Sequence, residues 1–150
     1  MITKYAAAAL LLAAVPAGAG AATTHEAATA AGSTHTHTLE LRLHVTAANS
    51  IDKHHFVGTE RVRSRVTHGF LGFDSFRGHL KPHTVVGDTA FAFRGGLLLI
   101  RTHSSGETPV RYVGHVIGGT GAYDGATGTA RGRALSEDDT LFTIRYATPA

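Results

Sequence analysis

The stretch Thr38-Leu39-Glu40-Leu41-Arg42-Leu43-His44-Val45 alternates polar and apolar residues without a break. Successive side chains of a strand point to opposite faces. Strict alternation over this length therefore predicts a half-buried β-strand, with Leu39, Leu41, Leu43 and Val45 toward a core. After an Ala47–Lys53 loop, a second strand is predicted from Phe56 to Val66. One face carries Phe56, Gly58, Glu60, Val62, Ser64 and Val66; the other carries Val57, Thr59, Arg61, Arg63 and Arg65. Further strands are predicted over Gly69–Phe76, His79–Val86, Asp88–Arg94, Leu97–Thr102, Val110–Ile117, Thr127–Leu135 and Thr140–Ala147. Turn signals separate them: Gly87-Asp88, Gly95-Gly96, Ser104-Ser105-Gly106, Gly118–Gly121 and Ser136–Asp139. Outside the first residues no segment keeps a 3.6-residue period. Many short strands with no helix between them point to an all-β fold, and closure removes the exposed edges such sheets carry. The expectation is a single closed antiparallel β-barrel of about eight strands over residues 38–150.

The start of the chain reads differently. Lys4 precedes an apolar run from Ala6 to Val15, then Pro16 and the small residues Ala17–Ala22. That order predicts a secretory signal peptide over residues 1–22. The run is shorter than the roughly 20 residues a membrane span needs. Residues 23–37 are Ala, Thr, His, Gly and Ser with a single Glu, and read as a flexible, disordered lead. Arg outnumbers Lys 11 to 3, and Ala and Gly abound, the usage of a GC-rich bacterial genome. The expected location is thus extracellular, in a secreted bacterial protein. Cysteine is absent, so the domain must stand on its own core. The net charge of +3 is small and forms no long basic block, so no nucleic acid partner is expected, nor a membrane after cleavage.

The most informative segment is Val116-Ile117-Gly118-Gly119-Thr120-Gly121-Ala122-Tyr123-Asp124-Gly125-Ala126-Thr127-Gly128-Thr129. Glycines at 118, 119 and 121 let the backbone turn sharply after a strand, and Thr120 can bond nearby backbone groups. Tyr123 can fold over a barrel end where Ala126 and Gly128 leave room. A phosphate loop fits poorly. Asp124 stands where a dinucleotide fingerprint needs Gly, no Lys-Ser or Lys-Thr follows, and the next residues alternate as a strand. The pattern Gly118-Gly119-Thr120-Gly121, Tyr123, Ala126 and Gly128 resembles the signature of allene oxide cyclase-like and dirigent-like barrels. Asp88–Leu97 is similar to the strand, Gly-Gly turn and strand that precede it in secreted bacterial members. The resemblance implies a barrel used as a shaped container. Allene oxide cyclases isomerise an unstable epoxide in an apolar barrel, whereas dirigent proteins steer radical coupling without oxidising anything themselves. The cyclases' catalytic residues lie outside this signature, so none is carried over.

Glu60 is the sharpest candidate for chemistry. It is a lone carboxylate on an apolar face, where desolvation raises a pKa and makes a general acid or base. Tyr112 and Tyr146 alternate with apolar residues and are candidate ligand contacts. Eleven histidines are present, but no metal-ligand spacing unites them, so no metal and no cofactor is expected. No serine has a nucleophile-elbow context. Three readings stay open. The first is a secreted barrel that binds or conformationally guides a small apolar ligand, with no assigned reaction. The second is an isomerase or cyclase using an interior acid. The third is a structural or surface-interaction protein with a filled barrel. A homo-oligomer is compatible with each. An open cavity separates the first two from the third, and a polar partner for an inward Glu60 favours the second.

Overall fold

The computed structural model describes residues 34–105 and 109–150. The signal peptide expected at 1–22, and the lead up to residue 33, lie outside the described residues. Eight strands follow in order: β1 (Thr34–Ser50), β2 (His55–Ser64), β3 (Phe70–Lys81), β4 (Thr84–Phe93), β5 (Gly96–Ser105), β6 (Arg111–Gly119), β7 (Thr127–Ala134) and β8 (Asp139–Pro149). Each pairs antiparallel with the next, and β8 returns to β1, giving the closed barrel. One 3-10 turn, Gly121–Tyr123, lies between β6 and β7.

Alternation fills the barrel. Leu41, Leu43, Val62, Phe91, Leu98, Ile100, Val116, Phe142 and Ile144 all point inward and are buried. The charged partners of Leu41 and Leu43 along β1 point out: Arg42 and His44 both reach Asp139. The meander places the β2–β3, β4–β5 and β6–β7 connections at one end, which we call the base. The β1–β2, β3–β4 and β7–β8 connections lie at the other.

Several boundaries differ from the sequence expectations. Residues 34–37, read as lead, are strand and pair with Pro149 to Tyr146 of β8, whose last residues otherwise have no partner on that side. The loop expected over Ala47–Lys53 begins later, because β1 continues to Ser50 past a bulge at Thr46. Val66 is not on the inner face. β2 ends at Ser64, whose hydroxyl accepts from Val66 N and Thr67 N to make a turn, and Val66 is exposed. His79–Val86 is not a strand but spans the β3–β4 turn at Pro82, whose ring removes a ladder donor. Conversely Gly87-Asp88, read as a turn, lies inside β4. Asp88 faces out there and is clamped by Arg77 at 3.0 Å and Arg101 at 2.7 Å.

The base is closed by the Gly-rich segment. Gly121 has φ 61°, and a Cβ there would run into the Gly95 carbonyl of the neighbouring β4–β5 turn. Thr120 Oγ1 accepts from Leu97 N at 3.1 Å, tying the segment to β5. The Tyr123 ring packs against Phe93 at 5.8 Å and Tyr146 at 5.7 Å. Ala126 is buried beside them, and Gly128 brings β7 against the Arg145 carbonyl of β8 where no side chain would fit.

Candidate functional site

The opposite end is open. A cavity of about 330 Å³ enters the barrel there, within the range of small-ligand sites. Its wall is mostly apolar, with Leu43, Val45, Phe91 and Phe142 toward the interior and Phe56 and Phe76 near the mouth. Glu60, Thr89, Thr102, Tyr112 and Thr140 break that wall with polar side chains, and Arg77 borders it. Ser136, Glu137 and Asp138 of the β7–β8 hairpin form part of the rim, held by a hydrogen bond from Val45 N to the Asp138 carbonyl.

Glu60 sits in the middle of β2, opposite Val45 on β1 and Asp74 on β3. Asp74 is 2% exposed. Apart from the facing Glu60, no residue among those described donates to either of its carboxyl oxygens. Two ionised carboxylates side by side in an apolar wall repel each other and are poorly solvated, which favours protonation of one of them. Burial pushes Asp74 up to about 9, and the adjacent Glu60 charge adds to the effect. Burial also raises Glu60, opposed by its hydrogen bond to Asp74 and by the His44 charge outside the wall. The arrangement is a pair of facing buried carboxyls in which burial favours the protonated form, most strongly at Asp74, and Glu60 borders the cavity. Such a couple can give a proton to a bound molecule and take one back.

Of the candidates from sequence, Glu60 and Tyr112 both line this cavity. Burial raises the Tyr112 phenol, and the Glu60 charge raises it further, so it stays neutral and able to donate. Tyr146 is not brought to them. It is buried at the base, stacked on His37 at 5.0 Å and tilted against Tyr123. Gly118, Gly119, Thr120, Gly121, Tyr123, Ala126 and Gly128 also belong to the base, away from the cavity. The histidines nearest one another are outside: His55 and His79 have ring centroids 4.5 Å apart, and Asp52 accepts from His55 Nδ1 at 2.9 Å. No group of three or more His, Asp or Glu among the described residues is arranged to hold a metal.

Asp74 was missed by sequence reasoning. Its signal was the inward set Gly72, Asp74, Phe76, Gly78, but the run Phe70-Leu71-Gly72-Phe73 hides it. A bulge sits there: Arg63 pairs with Phe70 while Val62 pairs with Gly72, leaving Leu71 extra. The shift turns both Phe70 and Phe73 outward, so the apolar residues of this segment mark the wrong face.

No family model and no curated protein matches the sequence. Solved structures do match in fold. A pterocarpan synthase dirigent protein, GePTS1, aligns with TM-score 0.67 at 15% identity, over 78% of this chain and 90% of its own. A pyocyanin demethylase aligns with TM-score 0.59 at 14% identity, over 73% and 98%. A nonspecific heme-binding cyclase that catalyses [4 + 2] cycloaddition during neoabyssomicin biosynthesis aligns with TM-score 0.58 at 11% identity, over 77% and 65%. The chain thus has a barrel fold shared by dirigent proteins and cyclases. At these identities the likeness is one of fold.

Proposed function

We propose that this barrel binds a small, largely apolar molecule and rearranges it by proton transfer, as an isomerase or cyclase does, with Glu60 as the group that touches the ligand. One observation carries the reading: a buried carboxyl pair, with no other hydrogen-bond donor to Asp74, bordering an open cavity of ligand size. Nothing in barrel stability calls for it. An apolar pair at these two opposed positions would fill the wall without desolvating two acids. Perturbed carboxyls in a cleft are what general acid–base chemistry requires. Tyr112 supplies a second donor to an oxygen of the ligand. That structurally similar proteins include a cycloaddition cyclase and a dirigent protein supports a container role and leaves the reaction open.

The first reading from sequence, binding or guidance without chemistry, needs the same cavity and not the couple. The two are separable. The neutral dye N-phenyl-1-naphthylamine should fluoresce on entering the cavity of the native chain. Glu60→Gln should leave dye affinity within about threefold, because one hydrogen-bonding group replaces another of equal size. The same variant should abolish isomer formation from a panel of unsaturated epoxides and polyenes followed by chromatography. Carboxyl carbon NMR should show Glu60 and Asp74 titrating in two coupled steps, one of them well above pH 7. Two independent titrations near pH 4 would reject the raised carboxyl, and with it the proposed chemistry. Dye binding with no turnover in any arm would favour the container.

A further inference from the structure

On the outer surface, we propose that the basal part of β1–β3, centred on the β2–β3 hairpin, docks on a lipid bilayer containing anionic headgroups. The register sets two outward rows across three strands. Phe73 lies opposite Arg61, which lies opposite His44; Phe70 lies opposite Arg63, which lies opposite Arg42. Like charges directly opposite one another in a sheet are destabilising, and here Arg42 and Arg63 face each other with Arg61 in the next outward row. Arg42, His44, Arg61, Arg63 and His68 line one shallow groove with Ser64 and a single acid, Asp139. Asp139 is already engaged by Arg42 at 3.1 Å and His44 at 3.4 Å. Arg63 donates to the His68 carbonyl at 3.2 Å, and Arg61 has no ion pair among the described residues. Glu40 lies one step further along the outer face of β1, and its carbonyl accepts from the backbone N–H of Arg65 just past the end of β2.

Beside these cations the hairpin exposes apolar groups. Val66 is 73% exposed at its tip, Phe70 54% and Phe73 50%. Phe70 and Phe73 share the outer face only because of the Leu71 bulge. A Cβ on Gly72 at that bulge would collide with the Ala92 carbonyl. His68 at the tip has φ 58°, the one positive value at a non-glycine residue among the described residues. The bulge presents two phenyl rings to water beside Arg61 and Arg63, and neither it nor the strained turn at His68 adds to the barrel's own packing.

Charge and apolar surface together choose the occupant. A soluble polyanion would use the arginines and leave three apolar side chains wet. Successive base stacking on the two rings is poorly served, since they lie edge to face at 5.1 Å and 66°. A second copy packed by twofold symmetry would bring the arginine rows against themselves. An anionic bilayer meets both needs, with phenyls at the acyl boundary and arginines among phosphates. The even charge count along the sequence gave no hint of this face, because the register, not the composition, gathers it.

The test is flotation of the full chain with phosphatidylcholine vesicles, alone or with about one third phosphatidylglycerol. The neutral arm subtracts any binding by the apolar amino-terminal run. We expect binding to the anionic vesicles in excess of the neutral arm, the excess weakened by salt. Arg61→Gln with Arg63→Gln should lower the partition coefficient about thirty-fold, from the contribution of two arginines near an anionic surface. Phe70→Ser with Phe73→Ser should lower it at least tenfold. All four positions are exposed, so folding checked by circular dichroism should not change. Equal binding to neutral vesicles, or no effect of the arginine changes, would overturn the proposal. So would competition by soluble pyrophosphate with no effect of the phenylalanine changes, which would indicate a free anion. Tighter binding to a single-stranded oligonucleotide than to vesicles would overturn it in favour of nucleic acid.

Discussion

The two ends of the barrel are built on opposite terms. At the base the β6–β7 segment packs tightly: Thr120 bonds β5, Tyr123 wedges between Phe93 and Tyr146, and glycines admit carbonyls where side chains would collide. At the mouth half, two acids share a wall with phenylalanine and leucine, and a cavity of about 330 Å³ is left unfilled. Filling that space and replacing the acids with apolar residues would make a more stable barrel. A protein that closes one end so thoroughly has the means to close the other. That the other stays open and acidic is what separates a scaffold from a site.

The comparison is broken most easily at the base. Gly121→Val places a β-branched residue at φ 61° and drives its Cβ into the Gly95 carbonyl. Loss of about 3 kcal/mol is expected, from backbone strain plus displacement of the β4–β5 turn. Thermal unfolding measures it. A melting point within a degree or two of the native one would show that the base is not the rigid end.

The mouth half should respond to pH instead. In the unfolded chain Asp74 loses its proton near pH 4, as ordinary aspartates do. In the barrel it keeps the proton up to about 9. Between those values the unfolded state binds fewer protons than the folded one, so stability falls as pH rises. Asp74→Asn has no proton to lose there. Relative to this variant, the native chain should lose about 2 kcal/mol between pH 5 and pH 7, with the gap vanishing below pH 4. Urea unfolding at stepped pH reads the difference. Parallel profiles would mean that Asp74 ionises freely, and the contrast between the two ends would lose its chemical half.

The same contrast explains what the sequence made legible. The strict alternation of Leu39 to Val45 and the Gly118–Gly128 pattern are local signals, and the barrel and its closed base followed from them. Glu60 was visible because its neighbours on β2 keep period two. Asp74 was not, because the Leu71 bulge breaks that period just before it and turns two phenylalanines outward. Tyr112 and Tyr146 looked alike in sequence, since alternation fixes the face of a strand and says nothing of the depth along the barrel. Depth comes from register, in which Tyr146 lies opposite His37 and Gly128, and Tyr112 opposite Ser104 and Gly132. The sequence reading runs a strand through Pro82 and a turn through Gly87, yet it is the proline that lacks a donor. Gly87 pairs with Gly78 inside the ladder.

The smallest expected change in stability sharpens the comparison most. On β2 and β3, Phe56 lies opposite Gly78, and Gly58 opposite Phe76. Each ring rests over the glycine facing it, and the two rings meet edge on at 6.1 Å. Flat against the wall, they leave the mouth open. A Cβ at Gly78 would meet only the tip of the Phe56 ring, the far end of a side chain that can rotate. A Cβ at Gly58 would meet the Phe76 ring and also the Ala47 carbonyl at 2.6 Å. Gly78→Ala should therefore change stability by less than about 1 kcal/mol, within the range of well-tolerated packing changes. The displaced ring has only the lumen to enter, so affinity for N-phenyl-1-naphthylamine should fall about tenfold, some 1.4 kcal/mol. Gly58→Ala should lose both stability and affinity, because backbone must move. Adding Phe56→Ala to Gly78→Ala should restore the dye by removing the ring that blocks it. Unchanged affinity in Gly78→Ala would mean that the mouth is wider than the two rings make it, and that access to Glu60 is set elsewhere on the rim.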